Sequence, residues 1–235
     1  MLKYINNQLL QDQPQQQQLE TQLSAHIQQR LPQNIAAFRK YQPALLPLLQ
    51  GVATQYFIFC TRTGEMNITD CTTGRVLYGE RPSEEAIAEA QSFWQHATYT
   101  SLTSTPELAN QQLQTEALPV AVDTIMVFGL GLGHHIAELL RNVRIKYLVI
   151  YEPEADFLLC SVQAIDWTEI FELAEALGTQ ISFQIGNSGT SITTDLVELL
   201  SLSADMQKVY LYRHVAHKVS DEVFEFLTKN SGKPQ

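Results

Sequence analysis

Cysteine is scarce in this sequence, and what there is forms no pattern. Cys60, Cys71 and Cys160 are odd in number and widely spaced, with no C-x-x-C pair. Such a set excludes a disulfide framework and a cysteine-based zinc site, and it points to a reducing cytoplasm. Positive charge is also in short supply. Fifteen Lys and Arg stand against 25 Asp and Glu, for a formal net charge of -10 and a pI near 5.0. That field repels phosphate backbones and argues against nucleic acid as a partner, while a small anion held by local dipoles stays open. No apolar run approaches the ~20 residues of a membrane span. The first eight residues, Met1 to Gln8, carry no signal-peptide apolar core, so neither membrane insertion nor secretion is expected.

What is present is a globular composition. With 235 residues, 45% of them hydrophobic, the chain can build one large domain or two small ones. Up to about Gln18 it is glutamine-rich, which reads as a solvated helix. Leu19, Leu23, Ile27 and Leu31 then recur at helical spacing, and Pro32 is expected to interrupt or restart that helix. Residues 34–49 read as a short helix broken by Pro43 and Pro47. Three short strands follow, at 55–60, 66–70 and 75–78, separated by Thr63-Gly64 and Thr73-Gly74, and they predict an antiparallel meander. Pro82 and the early acids Glu84 and Glu85 open a helix running to about Ala97, and residues 98–120 read as a polar linker.

From there strands alternate with helices. The strands fall at 124–129, 146–151, 180–185 and 208–212, and the helices at 134–142, 154–162 with 166–177, 190–202 and 219–227. This alternation predicts an α/β fold: a Rossmann-like parallel sheet with flanking helices, preceded by a helical arm and a small antiparallel β meander. The implied division is 1–52 for the arm, 53–120 for the meander with its helix and linker, and 121–235 for the Rossmann-like part.

Ligands of such sheets lie beyond the carboxyl ends of the strands. Here those ends carry Gly129, Gly131, Gly133 and His134, then Glu152, then Asn187 and Ser188, then Arg213, which together are the candidate ligand-binding residues. The G-x-G-x-G turn runs from an apolar strand into a helix, where free N–H groups suit an anion. A dinucleotide fingerprint needs its third glycine at position 134, and histidine stands there. The spacing from the turn to Glu152 is instead similar to an S-adenosylmethionine methyltransferase loop, in which the acid would hold a ribose. The alternative is that tight helix–strand packing alone demands small residues. Asn187-Ser188-Gly189-Thr190-Ser191 could cradle a phosphate or simply cap a helix, and it lacks the lysine of a Walker loop. His214 and His217 have permissible metal spacing but no third ligand, so no metal site is assigned. No nucleophile, base or metal cluster stands out, and no catalytic residue is assigned.

Four stretches carry a resemblance to a known family. They are Asn34-Ile35-Ala36-Ala37-Phe38, the run from Val127 to His135, Tyr151-Glu152-Pro153-Glu154-Ala155-Asp156-Phe157, and Asp166-Trp167. In this order they resemble the N-terminal region of the motility accessory factor family of flagellin glycosyltransferases. The resemblance implies a cytoplasmic setting and transfer of a nonulosonic acid from a cytidine-monophosphate donor to Ser or Thr of flagellin. It also implies that the chemistry belongs to a central domain following this region, so that this chain reads as an N-terminal, non-catalytic module. Its partners would be flagellin or the catalytic domain, with a nucleotide or nucleotide-sugar as an open ligand and no cofactor assigned. A methyltransferase-like enzyme and a nucleotide-sugar binding module are the competing readings.

Overall fold

The computed structural model describes residues 3–100, 113–186 and 208–215, together with Lys218, Asp221 and Glu222. Two compact units interleave along the chain. The first comprises Met1–Glu89, Gly131–Glu138 and Ala155–Leu173, and the second Ala90–Leu130, Leu139–Glu154 and Ala174–Gln235.

The first unit opens with α1 (Lys3–Asn6) and the long helix α2 (Gln13–Tyr41). Asp12 starts α2 by accepting the Gln15 N–H through its side chain, with proline in the first turn. The helix therefore begins within the glutamine-rich stretch, and one of those glutamines is internal. Gln16 is buried, accepts from Leu10 N–H and donates to the Cys60 carbonyl. Pro32 does not interrupt α2, contrary to the sequence expectation. The carbonyl it leaves without an N–H partner belongs to Gln28, an exposed residue that water can reach. After Tyr41 come a 3-10 turn (Pro43–Leu45) and α3 (Leu46–Leu49), so the helix ends just before Pro43, as expected, whereas Pro47 sits in the first turn of α3, where a missing N–H costs nothing, and does not break it.

β1 (Tyr56–Cys60) and β2 (Met66–Asp70) pair antiparallel, with Tyr56 opposite Asp70 and Cys60 opposite Met66. The expected third strand contributes a single bridge, Thr69 to Val76. Its backbone bonds to β2 twice, through Asp70 N–H to the Arg75 carbonyl and Leu77 N–H to the Ile68 carbonyl, and then turns to side chains: buried Asn67 and Gln8 donate to the Tyr78 carbonyl, and the Asn67 side chain accepts the Tyr78 N–H. Also in this unit is α6 (Ala155–Ala164), with the first part of α7 (Trp167–Leu177). Asn34, fully buried, donates to the carbonyls of Val162 and Ile165 and accepts the Trp167 N–H, which ties α2 to the α6–α7 corner. Phe38 packs edge-on against Trp167 and Phe171, at 5.4 and 5.1 Å between ring centres.

The second unit is a six-stranded, mostly parallel sheet. Its strands are β3 (Ala97–Thr100), β4 (Gln114–Glu116), β5 (Ala121–Phe128), β6 (Arg144–Glu152), β7 (Gln180–Ile185) and β8 (Val209–Arg213), in the order β4-β3-β8-β5-β6-β7. The four strands expected to be parallel are parallel, and Ile125 to Phe128 are fully buried. The helices α4 (Pro82–Gln95) and α5 (His134–Asn142) fall where the sequence places them. The difference lies in the stretch read as linker. Its described parts, β3 and β4, extend the sheet antiparallel at the β8 side. β4 is the edge, short and polar, while β3 buries Ala97 and Tyr99, a two-residue alternation too short to stand out in the sequence, and Tyr99 faces Tyr210. The expected helices at 190–202 and 219–227 lie outside the described residues, apart from Asp221 and Glu222.

Candidate functional site

The parallel strands run outward from β5 to β6 to β7, and the chain then returns to β8 on the other side of β5. That reversal makes the carboxyl ends of β5 and β8 the switch point where open sheets of this kind take ligands. Phe128 lies opposite Arg213 across it.

Gly129, Gly131 and Gly133 all have positive φ, at 97°, 51° and 91°, which explains three glycines at alternate positions. In the sheet unit, Gly129 N–H extends the ladder to the Tyr151 carbonyl at 2.9 Å. A Cβ on Gly129 would stand 2.6 Å from Val215 Cβ and 2.7 Å from its N. Val215 is buried there, and its N–H, with that of His214, closes on the Phe128 carbonyl. The switch point is thus packed by the chain's own residue after β8. Leu130, fully buried, donates its N–H to Glu152 Oε2 at 2.8 Å, and Glu152 Oε1 accepts the Glu154 N–H at 2.9 Å. Glu152 ends β6 and is 1% exposed.

The rest of the turn belongs to the first unit, and there too the polar groups meet protein. Leu132 N–H donates to the Tyr78 hydroxyl at 3.1 Å, and the Leu132 carbonyl accepts from Ser161 Oγ at 3.0 Å. Ser161 Oγ in turn accepts the Trp167 indole N–H at 3.1 Å. A Cβ on Gly133 would meet Ile165 Cδ1 at 2.5 Å and Ser161 Oγ at 2.8 Å. His134 opens α5 half-buried, while His135 beside it is fully buried, so the two face different surroundings.

Arg213 ends β8, is exposed and pairs with Asp221. His214 stacks on Tyr212 at 6.1 Å between ring centres. Burial, and then the charges of Glu152 and Glu222, push the Tyr151 phenol up to about 12, so at neutral pH it keeps its proton and is no base. Asn187 and Ser188 lie outside the described residues. The structure therefore joins Leu130, inside the glycine turn, to Glu152, and sets Arg213 on the same strand-end rim, paired to an acid. Val215 in the sheet unit, and Tyr78 and Ser161 in the first unit, each contact their own part of the turn, and sequence reasoning assigned them nothing. Tyr78 is 54 residues from the amide it receives, and no local periodicity links two such positions.

Backbone N–H groups are what a glycine turn offers an anion. Here Leu130 N–H faces a carboxylate and Leu132 N–H a phenol oxygen. The arrangement holds a loop firmly, and among the described residues it aims no nucleophile at a cleft. No described helix is long and apolar enough to cross a membrane.

The chain matches the family described as Glycosyltransferase Maf N-terminal domain over residues 30–107 and 98–233, well over half its length. No curated protein matches it. Among solved structures it is similar to the MAf glycosyltransferase from Magnetospirillum magneticum AMB-1, with a TM-score of 0.65 and 17% sequence identity. That match covers 87% of this chain and 35% of the other, so this chain spans about a third of its length, and at such identity the likeness concerns the fold.

Proposed function

The chain belongs to the Maf glycosyltransferase N-terminal domain family, and from that premise we propose that it acts as a non-catalytic module, positioning flagellin or a catalytic domain for modification with a nonulosonic acid. The observation that carries this reading is the state of the glycine turn. Its Leu130 N–H is committed to the buried Glu152 carboxylate, and Val215 packs the switch point against Gly129. A turn so engaged supports packing over cofactor binding, and Glu152, Gly129, Gly131 and Gly133 then act by holding the loop. The matched solved glycosyltransferase is almost three times as long as the region aligned here, which leaves room in such a protein for a separate catalytic domain. A reducing cytoplasm, where nucleotide-activated sugars are held, is the compartment proposed.

The test has two arms. In the first, purified chain is mixed with flagellin and a cytidine-activated nonulosonic acid, and flagellin mass is followed. No mass increase is expected, and sugar transfer by this chain alone would reject the reading. In the second, calorimetry measures binding to flagellin and to longer family members. A ligand screen by thermal shift runs beside it, with cytidine monophosphate, S-adenosylmethionine and NAD. Occupancy at 100 times the dissociation constant would add about 2.7 kcal/mol of stability. Stabilisation by S-adenosylmethionine would replace the docking module with a methyltransferase-like enzyme. Stabilisation by a cytidine ligand that weakens in Arg213→Ala would make it a nucleotide-sugar binding module.

A further inference from the structure

We propose that the Glu152 carboxylate is a resident anion of the glycine turn, occupying in the sheet unit the position that a ligand's carboxylate or phosphate would take. Two separate connections converge on it. Leu130 N–H comes from the turn after β5 and Glu154 N–H from the turn after β6, at 2.8 and 2.9 Å to different carboxylate oxygens. These are adjacent parallel strands, and both donors lie at their carboxyl ends, where the fold places ligand anions. Glu152 is 1% exposed and Leu130 fully buried. A buried carboxylate is retained only where charge-assisted hydrogen bonds replace its water, and these two N–H groups supply them. Conversely, removing the carboxylate orphans a buried N–H, which is costly until another acceptor arrives.

The inference reaches past the docking role, because it names what the turn selects. With Glu152 in place the turn rejects anions. With the side chain cut back to a methyl group, it becomes a receptor for a small monocarboxylate of the shape removed. The same side chain explains an acid at the end of β6 without a ribose for it to hold.

The experiment uses the whole chain. Glu152→Ala lacks one CH2 and one carboxylate, so acetate is the probe, titrated at constant ionic strength against chloride. The variant is expected to melt lower than the wild type. Acetate at ten times its dissociation constant should then raise its Tm by about 3–6 °C. The wild type should not respond to acetate, inorganic phosphate, cytidine monophosphate or S-adenosylmethionine. Equal responses of the variant to acetate and chloride, or none to either, overturn the proposal, as does stabilisation of the wild type by acetate, inorganic phosphate or cytidine monophosphate. If Glu152→Ala does not fold, Glu152→Gln carries the test by hydrogen exchange. Its Leu130 amide should exchange at least about tenfold faster than in the wild type, with the amides of Ile125 to Val127 changed less. An unchanged Leu130 rate overturns the proposal. Sugar transfer by the chain would sink the docking role and leave this inference standing, and failure of acetate would do the reverse.

Discussion

Gly129 and Gly178 share a positive φ, at 97° and 72°, and differ in what surrounds them. Around Gly178 a Cβ would meet nothing within 4 Å, whereas at Gly129 it would enter Val215. Gly178→Ala should therefore cost only the backbone strain, about 1 kcal/mol. Gly129→Ala adds overpacking and should cost about 2–4 kcal/mol more. Urea melts of both variants check this, and equal losses would mean that Val215 yields freely. Asp156 shows a second residue-level device. Its Oδ2 accepts the N–H groups of Thr54, Gln55 and Tyr56, with the Thr54 hydroxyl at 3.4 Å. Burial pushes this carboxyl up, and the hydrogen bonds outweigh it, so the group sits below its ordinary value. A carboxyl lowered on folding contributes stability above its unfolded pKa of about 3.9 and loses it as pH falls through the folded value. Asp156→Asn should thus cost about 1–3 kcal/mol at pH 7. The gap between variant and wild type should close in acid, as followed by denaturant melts from pH 7 down to pH 2.

At the scale of elements, α2 contains the clearest conflict between local rule and outcome. Proline inside a helix costs about 3 kcal/mol relative to alanine, yet α2 runs unbroken past Pro32. The helix persists because its far end is held by tertiary contacts, namely Asn34 at the α6–α7 corner and Phe38 among Trp167 and Phe171. Pro32→Ala should then stabilise the chain by about 1–3 kcal/mol, read as a rise in the urea midpoint. A fall would show that the ring makes packing contacts that outweigh the restored hydrogen bond. The β1–β2 pair illustrates a related economy. Tyr56 N–H goes to Asp156, the Tyr56 carbonyl accepts the Cys160 thiol at 3.6 Å and the Cys60 carbonyl accepts Gln16. Side chains thus engage backbone groups of β1 that would otherwise invite another strand.

At the scale of the whole molecule, the chain folds as two compact units that interleave in sequence. Each of the two compact units has its own core, built on Phe38 and Trp167 in one and on Ile125 to Phe128 in the other. Among the described residues no group of three or more His, Cys, Asp or Glu side chains could hold a metal ion. The polar groups that are buried mostly meet backbone: Asn34, Asn67, Glu152 and Asp156 each bind main-chain groups of segments distant in sequence. Side chains so placed fix loops, and the proposed docking role predicts no sugar transfer by this chain alone. Mass spectrometry of flagellin after incubation decides it.

The sequence by itself determined the four parallel strands, most of the helices joining them and the glycine turn. Apolar runs, helical spacing and the glycines encode these locally, within a few residues of one another. It also carried the family resemblance, through Asn34, the turn, Glu152-Pro153 and Asp166-Trp167. The strands β3 and β4 were not legible, because β3 buries only Ala97 and Tyr99 and β4, at the sheet edge, is three polar residues, runs too short for alternation to register. The continuity of α2 through Pro32 was hidden too, since the contacts that hold it come from residues some 130 positions away. Only the tertiary structure decided what the glycine turn does. Three glycines announce that backbone must come close to something. In the sheet unit Glu152 and Val215 meet the start of the turn, and in the first unit Tyr78 and Ser161 meet Leu132, contacts between segments far apart in sequence that no local pattern encodes.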